Sequence, residues 1–410
     1  METKLPEPDC TIKIKLAFIL FGISSLLPWN AILTQIVFFN NHVNSIKPMK
    51  SFSFLNFAFN IVLQFVLLWK KDLFKIKYQL IVGLISSICF LILIPTLVIV
   101  LEGKAIINFL TVILVLIMGL TNALLSSGFF TLASFFPTAQ IVELSAGQGF
   151  SGIIVNAIQY FILFFTNGDS KVGIMIFFII SCVILLTTLI VLIFSLKSEF
   201  FTYYLEFQSN NEVNEIDAGN EIANNDNIKE EEENLLKPKL TFYQMFNILK
   251  EMDILCCILY IVTFAEYPLG FDIVLFEPPK YSMNTILTIY NCFDTLGRYL
   301  TAYIKASKIL IYIIVLSRII LLVTIPVAFN LALKGNGLSI FGLIINDSLL
   351  AITNGIGTTL IFAFAPSLVN DEYKGQAGAS VSFFIIVGIC LGSVLQFATD
   401  PIFESLKKNK

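Results

Sequence analysis

The sequence predicts an all-α polytopic membrane protein with eleven transmembrane helices in a 6+5 arrangement. Three observations carry that reading. Of 410 residues, 57% are hydrophobic and only 13% charged, against about 25% charged in ordinary soluble domains. The apolar residues fall into runs close to the ~20 needed to cross a bilayer as a helix. A single long hydrophilic insertion divides those runs into two groups. The net charge of −3 is small and no dense basic cluster appears, so nucleic acid is excluded as a partner. The lipid bilayer is the partner this composition implies.

Taken in order, residues 1–12 form a short polar tail on the cytoplasmic side. The first apolar run continues to about Phe39 without a small-x-small cleavage site, so it reads as a span and not as a cleaved signal peptide. The spans read as about 13–37, 51–69, 78–101, 106–132, 143–166, 172–196, 253–276, 283–305, 308–331, 339–366 and 377–399. Placing the amino terminus inside puts Lys4, Lys13, Lys15, Lys70, Lys71, Lys75, Lys77, Lys305, Lys308 and Lys374 on the cytoplasmic side. The opposite loops hold only scattered lysines such as Lys104, Lys171, Lys280 and Lys334. The excess of cytoplasmic lysine favours that orientation, against which Lys407, Lys408 and Lys410 weigh mildly.

Residues 197–251 are dense in Asn and Glu and include Lys229-Glu230-Glu231-Glu232-Glu233. Such a composition buries no core, so a largely disordered cytoplasmic loop is expected, with an interfacial helix near Tyr243–Leu249. The domains that follow are an N-terminal six-helix bundle at 13–196, this loop, a C-terminal five-helix bundle at 252–400 and a tail at 401–410. A plan of this kind suits a transporter built from two bundles around a central site, as in the major facilitator fold.

The eighth span carries the most expensive residues. Asn291, Asp294 and Arg298 fall at i, i+3 and i+7 and share one helical face, with the acid and the base one turn apart. Charges at that depth face a bundle interior or a watery cavity. Alone, the pair reads either as a buried ion pair locking two helices or as a functional polar site. Polar stripes favour the second: Asn56, Asn60 and Gln64 in the second span; Gly119, Asn122 and Ser126 in the fourth; Ser145, Gln148, Gly152, Asn156 and Gln159 in the fifth; Asp347, Asn354 and Thr358 in the tenth. Interhelical hydrogen bonding explains any one of these. Four stripes beside a charged pair point to a polar central cavity.

The remaining features are structural. Gly147, Gly149 and Gly152, and the Gly388/Gly392 pair, allow close helix approach. Six cysteines sit in apolar segments and Cys10 in the tail, with no CxxC spacing, so neither a metal site nor a disulfide framework is expected. The only histidine is His42, in a loop, which argues against histidine metal centres. No cofactor is implied and no catalytic triad pattern occurs, so the chain does not read as an enzyme.

Several blocks in order resemble the equilibrative nucleoside transporters. Leu26-Leu27-Pro28-Trp29-Asn30 is similar to the first-span LLPWN of that family. Asn122-Ala123 with Phe136-Pro137, and Ser145-Ala146-Gly147-Gln148-Gly149-Phe150-Ser151-Gly152, resemble its fourth and fifth spans. Tyr267-Pro268 stands where the family has Phe-Pro, and Asn291 to Arg298 reproduces NxFDxxGR. Arg318 with Pro326, Asn354-Gly355 and Ala377-Gly378 continue the match, which spans everything but the tail and the 197–251 loop.

The resemblance implies passage of nucleosides, and in some members nucleobases, by alternating access, facilitative or proton-linked. It implies that Trp29 walls the site and that Asp294 and Arg298 contact sugar hydroxyls, with Ser126, Gln148 and Asn291 among the substrate-binding candidates. Asn30, Leu33 and Pro268 would form the outer gate, Leu33 standing where Met is frequent. The chemistry agrees: a carboxylate accepts from a diol, a guanidinium donates in a fixed fork, and an indole stacks on a flat base. Two departures stand out. Ser126 occupies the place of a usual Gln, and Glu266 stands where an apolar residue is usual, which invites a proton-coupling role. The plasma membrane is the expected location, with an intracellular membrane as the alternative, and no obligate protein partner is evident. The alternative is a major-facilitator-type carrier of sugars or other small polar solutes. That class usually shows GxxxDRxGRR after the second span, where this chain has Trp69-Lys70-Lys71-Asp72-Leu73-Phe74.

Overall fold

The computed structural model describes residues 10–46, 48–70, 74–104, 106–166, 170–205, 242–266, 279–324, 327 and 337–408. These residues are helical almost throughout. The N-terminal half holds α1 (Ile12–Thr34), α2 (Ile36–His42), α3 (Pro48–Trp69), α4 (Ile76–Val100), α5 (Ile106–Ser134), α6 (Thr138–Thr166) and α7 (Lys171–Ser195). The C-terminal half holds α8 (Phe242–Glu266), α9 (Pro279–Leu300), α10 (Lys308–Ser317), α11 (Gly337–Phe364) and α12 (Lys374–Lys408). Among the described residues, eight helices are long and apolar enough to cross a membrane. The other long ones, α8 and α9, carry charges: Lys250, Glu251, Asp253 and Glu266 on α8, and Lys280, Asp294 and Arg298 on α9.

Why these helices sit in lipid follows from their outer faces. Val62, Phe161, Phe164, Phe165, Val172, Ile193 and Phe194 are all exposed. An apolar surface of that extent is a membrane contact, since soluble monomers rarely expose patches beyond a few hundred Å². Polar residues are turned inward instead: Asn56, Asn60, Gln64, Asn122, Gln148, Asn156, Asp294, Arg298 and Asn354 are all buried. At one end of the N-terminal half, Glu102 in the turn after α4 binds His42 of α2 at 3.3 Å and pairs closely with Lys171 at the start of α7. The Lys171 ammonium holds the Glu102 carboxyl below its ordinary range.

Two close crossings set the geometry of the interior. In the N-terminal half α1 packs chiefly on α6, where Gly22 meets the Leu144 carbonyl and Gly147 meets that of Ile19. In the C-terminal half α9 packs chiefly on α11, where Gly297 meets the Ile352 carbonyl and Gly355 meets the backbone of Asp294 and Arg298. A side chain at any of these four positions would collide with a carbonyl oxygen. The halves meet where α9 contacts α6 and where α12 contacts α3 and α5.

The 197–251 segment differs from the expected loop at both ends. Residues 199–205 are helical, with Phe200 and Phe201 buried against Phe136 and Phe18. Tyr243–Leu249 is no separate interfacial helix but the first part of α8, which runs unbroken to Glu266 with Met245, Leu249 and Met252 buried. Aromatic and methionine anchors there outweigh the charged neighbours that suggested a loop. The acidic run itself lies outside the described residues.

The crossing of α9 and α11 is testable. Gly355→Ala should lower the unfolding midpoint of the purified protein by the equivalent of about 1–3 kcal/mol, the usual cost of overpacking a tight contact. Gly342→Ala on the same helix meets nothing within 4 Å and should leave the midpoint unchanged.

Candidate functional site

Asp294 and Arg298 lie one turn apart on α9, and both are buried. Arg298 Nε donates to Asp294 Oδ2 at 2.7 Å. The other carboxylate oxygen, Oδ1, accepts from Asn354 Nδ2 of α11 at 2.8 Å, a contact made possible by the Gly297/Gly355 crossing. Across the interface with the N-terminal half, Arg298 Nη1 donates to Ser145 Oγ at 3.0 Å, to Gln148 Oε1 at 3.1 Å and to the Ser145 carbonyl at 3.3 Å. Gln148 Nε2 in turn donates to Ser25 Oγ of α1 at 3.0 Å. The amide of Gln148 is therefore oriented at both ends, oxygen toward the guanidinium and nitrogen toward Ser25.

All of these groups but Ser145 form part of the wall of a cavity enclosing about 990 Å³ of space, open mouth included. Trp29, Ser126, Gln148, Asn291, Asp294 and Arg298 all line it, as do the gate candidates Asn30 and Leu33. Pro268 lies outside the described residues. Glu266 is buried with Oε2 lacking a hydrogen-bond partner among the described residues, and it does not line the cavity. Asn291 packs against Gly152, where a side chain would collide with its amide, and Asn30 Nδ2 donates to Ser151 Oγ at 3.1 Å.

Most of the apolar part of the wall, Trp29 and Leu33 apart, was not foreseen. Trp29 meets Phe57 edge-on, with ring centroids 5.0 Å apart, and Phe57 meets Phe264 of α8 in the same way at 5.9 Å. Phe130, Tyr260 and Ile386 also line it. Asn354 belonged to a recognised stripe without being assigned to the site, and Thr263 carried no signal, being a lone Thr in an apolar run.

The polar stripes divide between cavity and packing. Asn60, Asn122 and Ser126 face the cavity. Asn56 and Gln64 stand behind them, Asn56 accepting from Asn122 at 2.9 Å and Gln64 donating to Ser126 at 3.0 Å. On α6, Gln148 faces the cavity, while Asn156 accepts from Thr34 at 3.3 Å and Gln159 accepts from Gln35. The seven cysteines are all free.

An all-helical membrane protein whose two halves enclose a central cavity with polar and aromatic walls has the build of a carrier. The solved structures it resembles share that fold: the proton:xylose symporter XylE bound to 6-bromo-6-deoxy-D-glucose (TM-score 0.63, 14% identity, 96% of this chain and 88% of that one), and the E. coli fucose:proton symporter FucP (TM-score 0.56, 14% identity, 96% and 93%). The nucleoside transporter family matches residues 112–400, and the chain belongs to that family. Its relatives include human equilibrative nucleoside transporter 1, 23% identical over 97% of this chain and 99% of the relative, and rat equilibrative nucleoside transporter 2, 24% identical over 94% and 96%. These relatives are transporters and not enzymes.

Asp294→Ala removes the only carboxylate bound to Arg298 among the described residues and strands Asn354 Nδ2. Breaking a buried pair on one side costs about 3–5 kcal/mol, so the variant should insert, unfold at a lower temperature and lose nearly all uptake in a reconstituted assay. Asp294→Asn should fold better and remain impaired. Normal uptake by Asp294→Ala would remove the pair from the transport site.

Proposed function

We propose that this protein carries nucleosides across a membrane by alternating access of two helical bundles, with nucleobases as a further substrate class. The family match over residues 112–400 and the seating of Asp294 and Arg298 in the cavity wall support it together. In this reading the carboxylate accepts from the ribose hydroxyls. Two of its roughly four lone-pair sites are engaged by Asn354 and Arg298, which leaves about two for a diol. Arg298 donates to the sugar, and Trp29 offers its ring as a wall for the base. Gln148 and Asn291 complete the polar contacts, and Asn30, Leu33 and Pro268 form the outer gate.

The bundle plan belongs to the proposal. Eleven spans divide as six in residues 13–196 and five in 252–400, with α8, α9 and α10 joining the eight apolar helices, and with residues 1–12 and 197–251 cytoplasmic. The lysine distribution supports that orientation. The plasma membrane is the proposed location, and no obligate protein partner is invoked. Uptake of radiolabelled nucleosides, nucleobases and hexoses by the purified protein in liposomes tests the substrate class. Nucleosides should enter in competition with one another, and hexose uptake without nucleoside uptake would overturn the reading in favour of a sugar carrier.

Base preference follows from Ser126. Its hydroxyl cannot present the paired donor and acceptor of an amide, and it already accepts from Gln64. Ser126→Gln should shift the ratio of purine to pyrimidine uptake while leaving the total rate of the same order. An unchanged ratio across adenosine, inosine, uridine and cytidine would take Ser126 out of base recognition.

Glu266 supports proton linkage as part of the same reading, being a buried carboxyl with an oxygen unpartnered among the described residues. Under coupling, acidifying the outside should speed uptake steeply in the wild type, and Glu266→Gln should flatten the curve. Flat curves for both would make the carrier purely equilibrative.

A further inference from the structure

Arg318 is among the largest fully buried side chains of the described residues, 1% exposed, in a 3-10 turn following α10. It does not line the cavity, and among the described residues no carboxylate lies within ion-pair distance of it. Its partners are neutral. Nη1 donates to the Leu350 carbonyl at 2.9 Å and to Thr353 Oγ1 at 2.8 Å, Nη2 donates to Thr263 Oγ1 at 2.5 Å and to the Leu259 carbonyl at 3.5 Å, and Nε has no partner among the described residues. Packing alone is a poor reason to keep such a group, because burying an unpaired guanidinium is costly and an apolar side chain of similar volume is often neutral or stabilising there.

The carboxylate that balances it is reached indirectly. Thr263 Oγ1, accepting from Arg318, lies 2.8 Å from Asn354 Oδ1, and Asn354 Nδ2 donates to Asp294 Oδ1. We propose that Arg318 is a positioning residue for transport: through Thr263 and Asn354 it fixes the direction of a hydrogen-bond relay that ends on Asp294. The step that needs Arg318 is the Thr263 hydroxyl. A threonine in a helix ordinarily donates to the carbonyl four residues back, and Leu259 O stands 2.9 Å away to receive that proton. One hydroxyl has one proton. With the guanidinium occupying a Thr263 lone pair and also approaching Leu259 O, the proton turns to Asn354. Asn354 then presents oxygen to Thr263 and nitrogen to Asp294. Without Arg318 the proton returns to Leu259, Thr263 sets a lone pair against Asn354 Oδ1, and the amide draws back from the carboxylate. Each bond in the series polarises the next in the same sense, from cation to anion.

This rests on the reading that Asp294 meets the sugar, and the test separates the two. KM is measured in proteoliposomes for a ribonucleoside and for its 2′,3′-dideoxy analogue. Thr263→Val and Arg318→Gln should raise KM for the ribonucleoside about tenfold or more, the scale of losing a charge-assisted hydrogen bond, and change that of the dideoxy compound less than about twofold. Thr263→Ser, which keeps the hydroxyl, should recover the discrimination; Arg318→Lys, lacking the fork, should not. Equal changes for both compounds, or a loss confined to protein amount, would make Arg318 merely structural. A second measurement needs no substrate. Thr263 and Asp294 share no direct hydrogen bond, so the relay makes the effects of Thr263→Val and Asp294→Asn on the unfolding midpoint non-additive. Additive shifts overturn the relay whatever the cargo. Wild-type KM values identical for the two nucleosides would instead overturn the sugar contact while the midpoint cycle decides the relay.

Discussion

Holding Asp294 and Arg298 inside a bilayer is the constraint on which the other contacts around the cavity depend. A charged side chain at the centre of a spanning helix costs about 2.5–3.5 kcal/mol on insertion scales, and the ion pair at 2.7 Å offsets part of that for both residues. The rest comes from neutral dipoles drawn from three other helices: Asn354 of α11, Ser145 and Gln148 of α6, and Ser25 of α1 behind Gln148. Those dipoles reach the pair because Gly297 and Gly355 let α9 and α11 touch backbone to backbone, and because Gly149 and Gly152 bring α6 against Thr295 and Asn291.

The partners on the two sides of the pair differ in kind, and the difference suits a moving protein. Within the C-terminal half Arg298 is held by a carboxylate, whereas its bonds to the N-terminal half end on a hydroxyl, an amide oxygen and a carbonyl at 3.0–3.3 Å. Neutral acceptors hold a guanidinium less strongly than a second carboxylate would. A hydroxyl or carbonyl of a substrate, or a water, can take their place at little cost. The ion pair can then stay whole while the bundles separate.

What the sequence made legible follows the same energetics. Trp29, Asn30, Leu33, Ser126, Gln148, Asn291, Asp294 and Arg298 all line the cavity, and most are legible because an amide or a charge in an apolar run has few neutral explanations. Phe57, Phe130 and Ile386 line it too, but an apolar side chain looks the same in sequence whether it faces lipid, a neighbouring helix or a cargo. Arg318 was seen only as part of a motif, since its partners lie on α8 and α11 and no spacing along the chain brings them together. The helical start of the central insertion was hidden because Phe200 and Phe201 stand directly after Lys197 and Glu199 at the head of an Asn- and Glu-rich segment, and their burial depends on Phe18 and Phe136 far away in sequence.

The stripe on α3 backs Ser126, which stands where the resembled family usually has Gln. Serine at position 126 leaves room that a longer amide would fill, and Gln64 from α3 occupies the second layer there, donating to both Ser126 and Asn60. Among the described residues its Oε1 is left without a partner, as are Asn122 Oδ1 and Asn56 Nδ2 beside it. Buried amides with unpaired atoms are costly, so this wall is less saturated than the Asp294 side of the cavity. An amide stands one layer behind Ser126, on a different helix. A side chain held from α3 approaches the cavity from another direction than one rooted on α5. The wall proposed to face the base therefore has hydrogen-bonding capacity held from α3, while the pair on α9 proposed to face the sugar is held by Asn354, Ser145 and Gln148.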